Sequence, residues 1–235
     1  MGIGPGDPGL LAPRAKEALA RAEVVFGYRT YLGLVGDLLA GKEVVPSGMR
    51  EEVARARAAV ARAAGGARVA VLSGGDPGVY GMAAPVLEVA AAAGLPVTVV
   101  PGVTAATAAA ALLGAPLGHD FAVVSLSDLL TPWPVIVKRL EAAVAADFVL
   151  ALYNPSSAKR KERWLEAVEI LRAGRPAATP VGIVWDAGRP GERKVLCDLA
   201  TVTAHPVDMR ATVIVGNSHT YVANGVMITP RGYNW

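Results

Sequence analysis

Short runs of β-branched and other apolar residues recur along the chain, separated by alanine-rich stretches of helical composition. The pattern predicts strands at 24–26, 43–45, 68–72, 97–100, 121–125, 148–153, 181–185, 194–197 and 212–215. Helices are predicted over 10–22, 51–64, 82–93, 104–113, 134–145 and 159–172. Strands alternating with helices of this length point to parallel sheets and the α/β class. The alternation is regular up to Gly114-Ala115-Pro116-Leu117-Gly118. Beyond it, strands follow one another with less helix between them. The expected organisation is therefore two α/β domains, 1–115 and 116–235, with a mainly parallel first sheet and a mixed second sheet.

Composition narrows the class. Hydrophobic residues make up 53% and charged residues 18%, as in a globular rather than a disordered protein. No charge occurs between Val89 and Gly118, but Gly94, Pro96, Pro101, Gly102, Gly114 and Pro116 divide that window. The pieces are too short to cross ~30 Å of hydrocarbon. No basic stretch followed by an apolar one opens the chain, so a soluble, cytoplasmic protein is expected. The net charge of +3 suits an anionic substrate, while the scattered basic residues argue against nucleic acid as a partner. Cys197 is the single cysteine, and His119, His205 and His219 lie far apart, so no metal site is expected.

Two glycine loops carry the candidate chemistry. Ser73-Gly74-Gly75-Asp76-Pro77-Gly78-Val79-Tyr80-Gly81 joins a predicted strand to a predicted helix. Glycines there let the backbone come within hydrogen-bonding distance of a ligand, and Asp76 puts a carboxylate at the mouth of the turn. Parallel sheets bind ligands at the carboxyl ends of their strands; a plain strand-to-helix turn is the competing explanation. The opening Gly2-Ile3-Gly4-Pro5-Gly6-Asp7-Pro8 resembles a dinucleotide loop but fails its requirements. Asp7 stands where that motif needs glycine, and Glu23 precedes the second strand rather than following it. Neither loop is followed by Lys-Ser or Lys-Thr, which disfavours a nucleotide triphosphate.

Four features in order, Gly2 to Asp7, Ser73 to Pro77, Pro101-Gly102-Val103-Thr104-Ala105 and Tyr153-Asn154-Pro155, resemble the tetrapyrrole methylase family. Within it, Gly27-Tyr28-Arg29-Thr30-Tyr31, the run from His119 to Trp133 and the tail from Met227 to Tyr233 resemble one branch. That branch methylates precorrin-3B, or its counterpart cobalt-factor III, at C(17) with ring contraction during cobalamin synthesis. The resemblance implies S-adenosylmethionine as cofactor, S-adenosylhomocysteine as product, a cofactor cleft between two α/β domains, and a homodimer. It assigns Pro5, Gly74, Gly75, Asp76, Val79, Thr104, Ala105, Tyr153, Asn154 and Gly188 to the cofactor. Residues alone also allow Thr104 to be a helix cap, and Tyr153 and Asn154 to be a strand end.

Ring contraction requires a proton to move, so a carboxylate or imidazole is expected near the macrocycle. Asp128 and His119 are the candidates, with Ser127 and Thr131 as polar substrate contacts. The substrate's carboxylates call for guanidinium groups. Arg29, Arg50 and Arg231 are expected in that role, with Lys159 and Arg160 also considered. In relatives an apolar strand precedes the first glycine loop; Met1 stands directly ahead of Gly2, so an empty strand position beneath the loop is expected. Gly27 holds the place of an aspartate found in relatives that methylate uroporphyrinogen, so no base is expected there. A same-fold methyltransferase of another precorrin, of ribosomal RNA or of a protein-bound diphthamide precursor is the alternative. A non-catalytic binding module is the other.

Overall fold

A computed structural model describes residues 1–157 and 160–234, which divide into two units, Met1–Ala105 and Ala106–Trp235. The predicted Lys159 contact falls outside the described residues.

In the first unit, β1 (Val24–Tyr28), β2 (Glu43–Ser47) and β3 (Val69–Val71) form a parallel sheet in the order β2-β1-β3. Val24 to Gly27 are all buried, as expected of a central strand covered on both faces. Helix α1 (Pro13–Arg21) begins on a proline, whose fixed φ suits a first turn, and buries Ala15 and Leu19 one turn apart. A short helix, α2 (Arg29–Gly33), follows β1 directly; five residues are too few to leave a helical period in the sequence. Helix α3 (Glu52–Ala64) turns Arg55, Ala56, Ala59 and Val60 inward, and α4 (Ala83–Ala92) follows the glycine loop.

The expected strand at 97–100 pairs as no strand. Among the described residues it is tied to the chain start through the Val100 carbonyl, which accepts the Gly2 amide at 2.9 Å. Val97 and Val99 stay exposed at 38% and 42%, so this β-branched run has a sequence suited to a ladder and no neighbour to pair with. Between it and β3 lies a cavity of about 540 Å³ lined by Met1, Ala18, Ala59, Val71, Val86 and Val99 among others. The Met1 ammonium sits at its rim and donates to the Val71 carbonyl at 2.8 Å.

The second unit is built on a five-stranded mixed sheet. Its strands are β5 (Phe121–Ser125), β6 (Val149–Tyr153), β7 (Pro180–Trp185), β8 (Arg193–Asp198) and β9 (Ala211–Val215), in the order β5-β6-β9-β7-β8. Only the β5–β6 pair is parallel. Helices α6 (Trp133–Ala145) and α7 (Lys161–Gly174) pack Ile136, Leu140, Val168 and Leu171 into one core with Leu150, Leu152 and Ile183. Helix α5 (Ala105–Leu113) packs its alanines and Leu113 with Val149, Ala151, Val184 and Ile214 in another. Alternation along the strands explains the two cores: neighbouring residues such as Leu150 and Ala151 face opposite sides. A side chain at Gly182 would collide with Leu113, which is why the strand carries glycine there. A three-stranded sheet unseen in the sequence pattern joins β10 (Tyr221–Ala223), β11 (Val226–Ile228) and β4 (Gly114–Ala115).

Candidate active site

The glycine loop after β3 is clamped by the start of the chain. Ser73 N–H donates to the Met1 carbonyl at 2.9 Å, and Ile3 N–H donates to the Ser73 carbonyl at 3.0 Å. Gly75 and Gly4 exchange both of their hydrogen bonds, at 2.8 and 3.2 Å. Gly74 lies between these two residues, and its N–H and C=O have no partner among the described residues. Gly74 is half-buried. A half-buried peptide group with no partner carries an energetic cost unless a ligand or water meets it. The loop thus presents a donor and an acceptor, on two successive peptide groups, at the carboxyl end of the parallel sheet.

Close approach dictates the glycines. Gly75 adopts φ +66°, and a Cβ on Gly2 would stand 2.5 Å from the Gly75 carbonyl oxygen. A Cβ on Gly102 would overlap that same oxygen and come within 3.0 Å of Gly2. Asp76 fastens this junction: Oδ1 accepts Gly78 N–H at 2.8 Å and Oδ2 accepts Gly102 N–H at 3.0 Å. Its carboxylate therefore organises the loop. Thr104 Cα and Ala105 N lie 3.6 and 3.7 Å from the position of a Cβ on Gly75, so both expected contacts adjoin the loop. Pro5 is buried, and Val79 is half-buried with its N–H on the Asp76 carbonyl at 3.3 Å.

Around the ends of β1 and β2, Arg55 is 95% buried, with no carboxylate partner among the described residues. Its guanidinium donates to Ser47 Oγ and to the Gly48 carbonyl at 2.8 Å, and lies 3.1 Å from Met82 Sδ. Ser47 Oγ in turn donates to the Gly27 carbonyl at 3.2 Å. Arg55 thereby ties the ends of two strands to the start of α4. Arg29 and Arg50 are exposed near these strand ends, Arg50 at φ +67° with its N–H on Glu52 at 3.2 Å.

In the second unit, Tyr153 ends β6 and its hydroxyl accepts the Ala106 N–H of α5 at 2.6 Å. Asn154 follows at φ +52° and donates to Ser125 Oγ at 2.9 Å, which also accepts Ser127 N–H at 3.3 Å. Asp128 faces two guanidiniums, Arg163 at 3.2 Å and Arg160 at 3.9 Å, and Arg163 also lies over the Trp133 ring. Arg160 donates to the Leu126 carbonyl at 3.2 Å and so braces its own loop. Leu130 beside them is 93% exposed, and Thr131 is half-buried. His119 is half-buried, and its Nδ1 accepts Asp120 N–H at 2.8 Å. Gly188 sits at φ +68° in a tight turn, its N–H on Glu192 at 2.7 Å. Arg231 lies in the exposed C-terminal tail. Burial, with a smaller contribution from Asp198, raises the Cys197 thiol to about 11, which keeps it protonated and unreactive.

Among the described residues, no cluster of His, Cys, Asp and Glu could hold a metal, and no helix is long and apolar enough to cross a membrane. Residues 1–203 match the family of tetrapyrrole (corrin/porphyrin) methylases. The chain belongs to that family. It is 52% identical over 235 residues to a probable cobalt-factor III C(17)-methyltransferase of Salmonella typhimurium, covering 99% of this chain and 98% of that protein. The fold superposes on the crystal structure of the methyltransferase CobJ with a TM-score of 0.93, at 38% identity and 97% coverage of both chains. It also matches the uroporphyrin-III C-methyl transferase from Thermus thermophilus complexed with S-adenyl homocysteine, at TM-score 0.71 and 32% identity. That match covers 92% of this chain and 95% of the other.

Sequence reasoning missed three participants. Arg55 leaves one signal, a lone charge on the inward alanine face of α3. Gly102 carries no signal beyond its motif, and its role depends on backbone that is distant in sequence. Tyr31 likewise stands in a motif with no role attached; its ring lies 2.5 Å from where a Cβ on Gly74 would be.

Proposed function

We propose that this chain is an S-adenosylmethionine-dependent C-methyltransferase of cobalamin synthesis, methylating cobalt-factor III or precorrin-3B at C(17) with ring contraction. The observation that carries the proposal is the end-to-end 52% identity to the Salmonella typhimurium relative of that name. The unpaired N–H and C=O of Gly74 fit it, since a ligand with amino, carboxylate or hydroxyl groups can meet both donor and acceptor. Gly74, Gly75 and Asp76, with Pro5, Val79, Thr104 and Ala105, are the proposed cofactor contacts of the first unit. Tyr153, Asn154 and Gly188 are those of the second.

When bound, S-adenosylmethionine supplies an already activated sulfonium methyl group. The protein's share is then alignment and exclusion of water, which can lower a barrier by up to ~7–11 kcal/mol. Arg29, Arg50 and Arg231 are proposed to receive the macrocycle's carboxylates, with Ser127 and Thr131 as neutral contacts. His119 and Asp128 are the proposed proton-transfer groups. Asp128 also pairs with Arg163 and Arg160 and so orients both guanidiniums. A cytoplasmic homodimer completes the proposal.

The test incubates the protein with methyl-labelled cofactor and either a cobalt-bearing trimethylated tetrapyrrole or its metal-free analogue. Label in the macrocycle with ring contraction is the expected result, and the preferred substrate identifies the natural one. Label in added ribosomal RNA, or no binding of S-adenosylhomocysteine by calorimetry, overturns the proposal.

A further inference from the structure

The unpaired state of Gly74 has a local cause. Along β1 and β3, Leu72 N–H donates to the Phe26 carbonyl at 2.8 Å, so the next rung of a parallel ladder would join Gly74 N–H to the Tyr28 carbonyl. That rung does not form. Tyr28 is the N-cap of α2, where the carbonyl turns to accept the first intrahelical bond. Three residues later Tyr31 brings its ring against Gly74: ring atoms lie 2.5 and 2.6 Å from the position of a Cβ there. Tyr28 supports that ring edge-on, with centroids 5.4 Å apart and an interplanar angle of 84°. On its other side Tyr31 packs against the core that contains Leu32 and Leu72.

We infer that Tyr31 is the positioning residue of the cofactor loop. Its ring is a wedge between the ends of β1 and β3 that holds the Gly74 N–H out of the ladder and fixed in direction, ready for the methyl donor. This role rests on the methyltransferase assignment above. The wedge also explains why position 74 is glycine although its φ is not in the left-handed region: the space of a side chain is taken by the tyrosine ring.

The test measures S-adenosylhomocysteine affinity by calorimetry for wild type, Tyr31→Phe, Tyr31→Ala, Gly74→Ala and the Tyr31→Ala/Gly74→Ala double variant. Thermal midpoints and the Gly74 amide resonance in glycine-labelled protein are recorded alongside. Tyr31→Phe keeps the ring and is expected to bind within about threefold of wild type. Tyr31→Ala is expected to lose tenfold or more and to shift the Gly74 amide resonance before any ligand is added. Gly74→Ala is expected to cost far more affinity with Tyr31 present than in the Tyr31→Ala background, where removal of the ring leaves room for the added methyl group. Unchanged affinity in Tyr31→Ala overturns the inference, as do strictly additive effects or a lowered midpoint without loss of affinity. Failure of the wild type to bind S-adenosylhomocysteine is a separate result that overturns the assignment of function. The ligand-free Gly74 resonance still tests the wedge in that case.

Discussion

The buried amino terminus makes stability depend on pH in a defined direction. The Met1 ammonium is pushed down from 8.0 to about 6, first by burial, with Asp76 opposing the shift. A cation with a depressed folded pKa destabilises the fold wherever the unfolded chain still holds the proton. Above pH 8 both states are neutral there and nothing is lost. As pH falls from 8 to 6 the unfolded chain takes up a proton that the folded chain does not, and stability declines; below 6 the loss is complete. Two pH units at about 1.36 kcal/mol each set an upper bound of about 2.7 kcal/mol. For a chain of this size that corresponds to a fall of roughly 5–10 °C in the melting midpoint. Thermal unfolding followed by circular dichroism between pH 5.5 and 8.5 measures it. The control is N-terminally acetylated protein, which removes that charge and leaves every side chain as it was. The free terminus is expected to lose stability across this window and the acetylated protein much less. Identical pH profiles for the two would mean that the terminus is solvated and not seated on the Val71 carbonyl.

Further outcomes follow from the packing. Gly102→Ala drives a methyl group into the Gly75 carbonyl and Gly2, both backbone, and is expected to cost about 1–3 kcal/mol in a denaturant melt and to weaken S-adenosylhomocysteine binding; wild-type behaviour in both measurements counts against the glycine junction. Four consecutive valines joined ahead of Met1 extend into the cavity between β3 and residues 97–100, and are expected to add about 2 kcal/mol or more of stability relative to four glycine or serine residues. Equal melts for the two extensions would show that the cavity does not accept a strand. Cys197, with its thiol raised to about 11, is expected to react with iodoacetamide at pH 8 far more slowly in the native protein than after denaturation. Similar rates in the two states would contradict its burial.

Local pattern was enough for most of the framework. The strands at 24–28, 149–153, 180–185 and 211–215 are largely buried apolar runs, and that at 121–125 is an apolar run with Val124 buried; runs of that kind declare themselves without reference to their neighbours. The parallel first sheet and mixed second sheet were likewise legible from the spacing of helices between strands. So were the two glycine loops, because glycine and proline leave local marks. What failed was whatever depends on a partner. Residues 97–100 have strand composition and no ladder, since pairing is a property of two segments; β4, β10 and β11 have little strand signal and pair regardless. The chemistry of the site divides the same way. Sequence singled out Gly74, Gly75 and Asp76 as a candidate ligand loop. Only the folded chain decided that the bonds of Ser73 and Gly75 leave the N–H and C=O of Gly74 unpaired between them, that Asp76 is spent on Gly78 and Gly102, and that a tyrosine 43 residues earlier stands over the loop. Hydrogen-bond satisfaction and steric fit are settled between groups far apart in the chain, and no local composition encodes them.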